Sequence, residues 1–298
     1  MTYSIVARDE STGELGVGVQ TCFLAVGSIA PWARAGVGVV ATQAFAELAY
    51  GPRCLEALGA GRPAGDALAE ARAADPMAEL RQVGVVAAGG DVAAVTGERC
   101  VDHAGHVIGD GFTAQANMVG SPEVWGAMAA AFEGSTGALA RRLLAALEAG
   151  EAAGGDARGR MSAALLVVEG RLPDQPGGGT VVDLRVDRNE DPLAELALLL
   201  DAADAFGHYD RATDQLFGGD AAAALDSIDR ALEALPGEEN FRVVRAGALL
   251  AAGATDAGLA ELRALVADRP TWEIIVRGFA DRGLVTLPEG LSIDAVFA

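Results

Sequence analysis

The order in which this chain changes hydrophobic period excludes most folds before any single residue is considered. Period-two runs come first, at 3–8 and 15–21. The polar stretch Asp9-Glu10-Ser11-Thr12-Gly13-Glu14 joins them as a hairpin, with Gly13 supplying the turn. A third run, 37–42, follows a loop at 30–36. Two helical stretches come next, about 50–60 and 64–74, with Pro63 near the start of the second. Strand patterns resume at 82–87 and 92–96 and near 112–117. Helices are predicted at about 122–132 and 137–153, the latter with Leu139, Leu143, Leu144 and Leu147 on one stripe. Runs near 163–169 and 181–186 close the series. Strands in hairpins, helices in pairs and strands again do not make the βαβ alternation of a parallel sheet. The pattern predicts an α+β fold of largely antiparallel strands with helices packed outside.

From Asp191-Pro192 onward the pattern becomes helical. Leu216, Gly219, Leu225, Ile228, Leu232 and Pro236 recur as Leu250, Gly253, Leu259, Leu262, Val266 and Pro270, each pair 34 residues apart. That is the period of a tetratricopeptide-type helix-turn-helix repeat. Two copies are fewer than a free-standing solenoid needs, so this tail is expected to dock on the main domain. The predicted division is a first domain at 1–205 and a small all-α repeat tail at 206–298.

Charge narrows the partners. All 22 basic residues are Arg, since the chain contains no Lys, and they face 42 acids for a net charge of −20. Such a surface repels phosphate backbones and anionic lipid, so neither nucleic acid nor a membrane is an expected partner. Without Lys there is no Schiff base, no lysine general base and no P-loop lysine. Cys22, Cys54 and Cys100 are odd in number and widely spaced, which suggests neither a disulfide framework nor a zinc knuckle. They read as buried thiols of a reducing cytoplasm. Met1-Thr2-Tyr3-Ser4 lacks the basic and apolar regions of a signal peptide, and runs such as 196–200 are too short to span a bilayer.

Thr2 is the most informative single residue. A small residue after Met1 allows removal of the initiator, and the mature chain would then begin with Thr2 at the head of a strand. An N-terminal Thr unites a nucleophilic hydroxyl with its own α-amine as general base. That amine has an unperturbed pKa of about 7.7–8.0, close to working pH. Met-Thr also opens many chains that have no such chemistry.

Several segments carry a resemblance in the right order. They are Thr2-Tyr3-Ser4-Ile5-Val6-Ala7-Arg8-Asp9, Gly13-Glu14-Leu15-Gly16-Val17, Phe23-Leu24-Ala25-Val26-Gly27-Ser28 and Pro31-Trp32-Ala33-Arg34-Ala35-Gly36-Val37-Gly38. Val40-Ala41-Thr42-Gln43-Ala44, Tyr50-Gly51-Pro52-Arg53 and the later stretch 153–165 continue it, with Met161 where a Gln is expected. Over roughly residues 2–200 the chain resembles the DUF1028 family. The resemblance implies a four-layer αββα Ntn-hydrolase-like sandwich, and it makes Thr2 a candidate nucleophile.

Other candidates surround that reading. Asp156, Arg158 and Ser162 sit on a glycine-loosened turn between a helix and a strand. The Asp-x-Arg pair either staples a loop or flanks the Thr2 amine and binds a substrate carboxylate. Gln20-Thr21, Thr42-Gln43 and Asn117 end apolar runs, where amides either line a pocket or are satisfied locally. Trp32 covers the pocket or lies in the core. Because Lys is absent, an Arg head group, from Arg34 or Arg158, is expected near Thr2. His103 and His106, with Cys100 and Asp102, form a short cluster but have no second ligand cluster, so no metal is expected. Gly109-Asp110-Gly111 lacks the following helix of a phosphate loop, and no cofactor is expected. Two function classes remain. One is an N-terminal-nucleophile hydrolase of a small-molecule amide, with Thr2, Gln43, Asn117 and Asp156 catalytic and Gln20, Trp32, Arg34, Arg158 and Ser162 at the substrate. The other is a catalytically silent binding or scaffold protein that holds a protein partner through its helical tail. A homo-oligomer is expected in either case.

Overall fold

Side chains alternate across a strand, so a strand with apolar residues on both faces needs a partner on each side. The computed structural model of this chain describes residues 2–175 and 177–297. It answers that need with two antiparallel sheets. The larger sheet has the order β10-β9-β2-β1-β8-β7, built from β1 (Thr2–Arg8), β2 (Leu15–Thr21), β7 (Gly105–Gly109), β8 (Phe112–Asn117), β9 (Ser162–Val168) and β10 (Thr180–Val186). The smaller has the order β3-β4-β5-β6, from β3 (Pro31–Arg34), β4 (Gly38–Ala44), β5 (Arg81–Ala87) and β6 (Val92–Thr96).

Three apolar clusters follow from that arrangement. Tyr3, Ile5 and Ala7 of β1 point away from the smaller sheet, toward α3 (Val124–Gly134) and α4 (Leu139–Ala152). There they join Met128, Phe132, Leu143 and Leu147. Val6, Leu15 and Val17 of the larger sheet meet Val39, Ala41 and Val86 of the smaller one. Val40, Val83 and Val85 face the other way, onto α1 (Tyr50–Gly59) and α2 (Ala64–Ala73) through Cys54, Leu55 and Leu68.

The sheets approach closely at Gly84. A Cβ there would lie 2.5 Å from Gln115 Oε1 and 2.9 Å from the Thr113 methyl. Segment 30–36, expected to be loop, instead contributes β3 as an edge strand. Pro31 sits at its first residue, where the missing N–H costs no ladder bond.

The chain divides into two compact units after Leu200, within the helix α5 (Pro192–Phe217). Leu193, Leu196 and Leu200 belong to the core of the first unit. The second unit is helical, with α6 (Ala221–Ala234), α7 (Glu239–Ala251), α8 (Thr255–Asp268), α9 (Trp272–Asp281) and α10 (Ile293–Phe297). Its core gathers Ile228, Phe241, Val244, Leu262, Leu265 and Val276. Helices α6 and α8 begin 34 residues apart and end 34 residues apart. The glycines before them, Gly219 and Gly253, adopt the same left-handed φ of 82°. Arg245 ties the bundle together by pairing with Asp229 at 2.6 Å and Glu261 at 2.9 Å.

Two expectations follow. Gly84→Val should cost roughly 1–3 kcal/mol by overpacking the space between the sheets, read as a lowered midpoint in denaturant unfolding. A chain ended at residue 205 keeps every leucine of the first unit's core and should unfold in one cooperative transition by calorimetry.

Candidate functional site

Between the two sheets the side chains change character along the strands. At one end the gap is filled by Val6, Leu15, Val17, Val39, Ala41, Val86 and Val168. At the other end the same strand faces carry Thr2, Ser4, Thr21, Gln43, Gln82, Thr113, Gln115, Asn117 and Ser162, all buried. Period two explains the grouping. Thr113, Gln115 and Asn117 alternate with Phe112, Ala114 and Ala116, which face the helices.

Buried amides must find partners, and these find them in each other, in buried hydroxyls and in backbone carbonyls of both sheets. Gln43 Nε2 donates to the Thr2 carbonyl at 3.2 Å, to Gln82 Oε1 at 2.7 Å and to the Gln115 carbonyl at 3.3 Å. Gln43 Oε1 accepts from Ser4 Oγ at 2.7 Å, and that hydroxyl accepts from Gln115 Nε2 at 2.6 Å. Asn117 Nδ2 donates to the Thr2 carbonyl at 3.2 Å and to Gln82 Oε1 at 2.9 Å. Gln82 Nε2 continues to Thr96 Oγ1 and to the carbonyls of Gly105 and Ala116. The backbone of Thr2 is thus gripped by amides from β4 and β8. Its hydroxyl donates to Thr21 Oγ1 at 3.1 Å, and the residue is only 8% exposed. Asn117 Oδ1 is buried without a hydrogen-bond partner.

Thr2, Thr21, Thr42 and Gln43 form the floor of a cavity of about 500 Å³. Its walls are apolar, from Val26, Ile29, Ala30, Ala44, Ala46 and Met118, and Phe23, Phe45 and Leu48 stand at its rim. The loops that shape it hold strained backbone. Ala25, Ala44 and Met118 take φ of 54°, 69° and 53°, a region costly for residues with a Cβ.

Two of these loops are tied down by buried side chains. The Ala44–Leu48 stretch is held by Arg81, whose guanidinium donates to the Phe45 carbonyl and pairs with Asp75 at 2.8 Å, both side chains buried. Tyr50 donates to the same carboxylate at 3.2 Å. Arg81's hydrogen bond, against the opposing effect of burial, holds the Asp75 carboxyl below its ordinary value of 3.8. Burial, with Asp75 beside it, pushes the Tyr50 phenol up to about 12. The 22–28 loop is held by Ser162, which donates to the Phe23 carbonyl at 2.5 Å and accepts from the Val26 N–H at 3.1 Å. Asp156, its carboxylate fully buried, accepts from the N–H groups of Cys22 and Arg158, both at 2.9 Å. It also pairs with the Arg158 guanidinium at 3.4 Å. Arg158 reaches the cavity wall with its side chain 43% exposed.

The structure therefore brings together Thr2, Gln43, Asn117, Asp156, Arg158 and Ser162. Arg158 is the Arg at the Thr2 cavity. The three remaining candidates lie elsewhere. Gln20 pairs with Tyr3 across β1 and β2, so it shares Tyr3's face, toward the helices, and its buried amide finds no hydrogen-bond partner. Tyr3 donates to Glu151 at 2.8 Å there, and burial together with that carboxylate raises its phenol pKa. Trp32 packs under α1 against Gly51 and donates to the Ile29 carbonyl at 3.0 Å. Arg34 pairs with Gly38 at the far end of β4 from Gln43, and its guanidinium holds the Leu55 carbonyl. His106 Nδ1 contacts Thr96 Oγ1 at 2.9 Å, burial lowering its pKa, and His103 Nδ1 contacts the Val119 carbonyl. Among the described residues no group of three or more His, Cys, Asp or Glu could hold a metal ion, and no helix is long and apolar enough to cross a membrane.

Reading the sequence alone did not single out Ser4, Gln82 and Gln115. A signal was available: Thr113, Gln115 and Asn117 form a period-two polar row in a strand otherwise built for a core. Such a row ordinarily faces water, and only the second sheet covers it.

A family model described as a family of unknown function, DUF1028, matches residues 2–196. The crystal structure of a Silicibacter pomeroyi protein assigned to the same family model is similar to this chain, with a TM-score of 0.62 and 35% sequence identity. The match covers 68% of this chain and 85% of that one. No curated protein matches the chain.

The Arg81–Asp75 pair makes a direct prediction. Arg81→Ala leaves a buried carboxylate without its cation and should cost about 3 kcal/mol in denaturant unfolding. The Asp75 carboxyl is depressed in the folded state, so its contribution is present above pH 3.8 and is lost as pH falls below that value. Asp75→Asn should therefore be less stable than the wild type at neutral pH, with the difference narrowing in a titration below pH 4.

Proposed function

The chain belongs to the DUF1028 family, and from that premise we propose that it is an N-terminal-nucleophile hydrolase of small-molecule amides. In this reading the helix pair α3–α4, the two sheets and the helix pair α1–α2 are the four layers of an Ntn-type αββα sandwich. The observation that carries the reading is the setting of Thr2. A buried, neutral amide network holds its carbonyl, and its hydroxyl stands at the floor of the cavity.

The chemistry requires Thr2 to become the first residue. Its α-amine then takes the proton of Oγ1 as that oxygen adds to the substrate carbonyl. Collapse of the tetrahedral adduct breaks the C–N bond, and the ammonium returns the proton to the departing amine. Water then adds to the Thr2 ester, the amine again takes a proton, and the acid leaves with the hydroxyl restored. Gln43 and Asn117 spend their N–H groups on the Thr2 carbonyl, so they act as positioning residues. The unpartnered Oδ1 of Asn117 offers an acceptor to the freed α-ammonium. Among the described residues, Thr21, Thr42 and Gln43 at the floor of the cavity are uncharged, and the amine is the base that comes attached to the nucleophile.

The helical unit is read as tetratricopeptide-like, supported by the 34-residue spacing of α6 and α8, and as a surface for a protein partner.

Intact-mass measurement should show loss of Met1. Against a panel of small amides, Thr2→Ala should abolish turnover with an unchanged unfolding midpoint. Thr2→Ser should retain part of it, since hydroxyl and amine both remain. A non-removable N-terminal extension should abolish turnover without altering a side chain. Full activity in the extended protein would sink the mechanism.

A further inference from the structure

The lining of the Thr2 cavity differs in charge from the molecule around it. The chain carries 42 acids against 22 basic residues, yet no carboxylate lines this cavity, and Arg158 is the one charged side chain among the described residues that do. Asp156 stands behind that guanidinium with its own carboxylate fully buried, fixing where the cation is presented. Opposite the polar floor, Phe23 and Phe45 are 62% and 53% exposed, with Leu48 beside them. Large apolar side chains held in water around a concave site mark a surface that covers apolar ligand atoms. The strained Ala44 and Met118 backbones hold two parts of this wall in place.

We propose that the cavity takes N-acyl amino acids: an amide whose acyl side is a short apolar chain and whose amine side ends in a carboxylate. This rests on the amide-hydrolase reading and adds the substrate class. The apolar chain lies against Phe23, Phe45 and Leu48, the carboxylate pairs with Arg158, and the amide carbonyl is presented to Thr2 Oγ1. The guanidinium is oriented by Asp156, and the Arg158 side chain remains 43% exposed at the cavity wall, where its charge favours an anionic group. Cationic amides are disfavoured by the same residue.

The test is calorimetric titration of full-length Thr2→Ala protein, which binds without turnover, using N-hexanoylglycine, its neutral counterpart N-hexanoylglycinamide, and N-acetylglycine. Hexanoylglycine should bind about tenfold or more tighter than either of the others, as one charge-assisted contact or a few buried methylenes warrants. Adding Arg158→Gln should remove the preference for the acid over its amide, and Arg158→Lys should restore part of it. Adding Phe45→Ala should shrink the preference for hexanoyl over acetyl. Equal binding of acid and amide, no binding of any probe, or an acid preference that survives Arg158→Gln would each overturn the assignment. Wild-type turnover separates the two proposals. Hydrolysis of neutral amides as fast as acids removes the substrate class and leaves the nucleophile. Selective binding of the acid with no hydrolysis by the wild type removes the catalytic reading and leaves a site for acylated amino acids.

Discussion

The structure of the first unit depends on a clamp of uncharged amides between its two sheets. Gln43, Gln82, Gln115 and Asn117 come from β4, β5 and β8, and all are buried. An amide taken out of water without a partner costs a few kcal/mol, so four of them in one gap are tolerable only if they pair with each other. Asn117 bonds Gln82 across the sheets, Gln43 bonds Gln82 beside it and reaches across to Ser4 and two carbonyls, and Gln115 bonds Ser4, so the network ties the two sheets together. Gly84 is part of the same constraint, because the space its missing side chain leaves is occupied by the Gln115 amide. The four amides themselves carry no formal charge.

That clamp also explains why Thr2 is held so firmly for a residue at the head of a strand. First residues of a domain are ordinarily loose. Here the carbonyl of Thr2 is an acceptor in the clamp, and β1 is paired on both sides, with β2 and with β8. The position of Thr2 is therefore ordered by the interior of the protein. The loops around it are ordered by separate means. The buried Arg81–Asp75 pair holds one, and Asp156 with Ser162 holds the other. Strained residues at Ala25 and Ala44 persist because these anchors over-determine the local backbone.

Electrostatics separates the site from its surroundings. A surface of net charge −20 favours solubility and repels anions at long range. Within the cavity wall the local sign is reversed by Arg158, whose counter-ion Asp156 is buried behind it. The far field of the surface is screened beyond about 10 Å at 0.1 M salt, so inside the cavity the nearest charge dominates.

What the sequence by itself determined was the set of elements and their class. Hairpin spacing, the leucine stripe of α4 and the 34-residue recurrence are local signals, written in side chains a few positions apart; in the first unit they placed α1–α4 and the strands other than β3 and β7 to within about two residues. Thr2, Asp156, Arg158 and Ser162 were legible for the same reason, as residues of the right chemistry at element ends. Only the tertiary structure decided which strand faces meet. Period two says that Gln20 and Thr21 point oppositely, but not which of them turns toward a cavity; pairing with Tyr3 sends Gln20 under the helices. Likewise β3 has no strong strand signature, and its pairing with β4 takes Trp32 beneath α1 and Arg34 to the far end of the sheet. The polar row on β8 reads as a wet face until a second sheet covers it. A side chain's burial depends on what a distant segment brings against it, and that contact is not written in any local pattern.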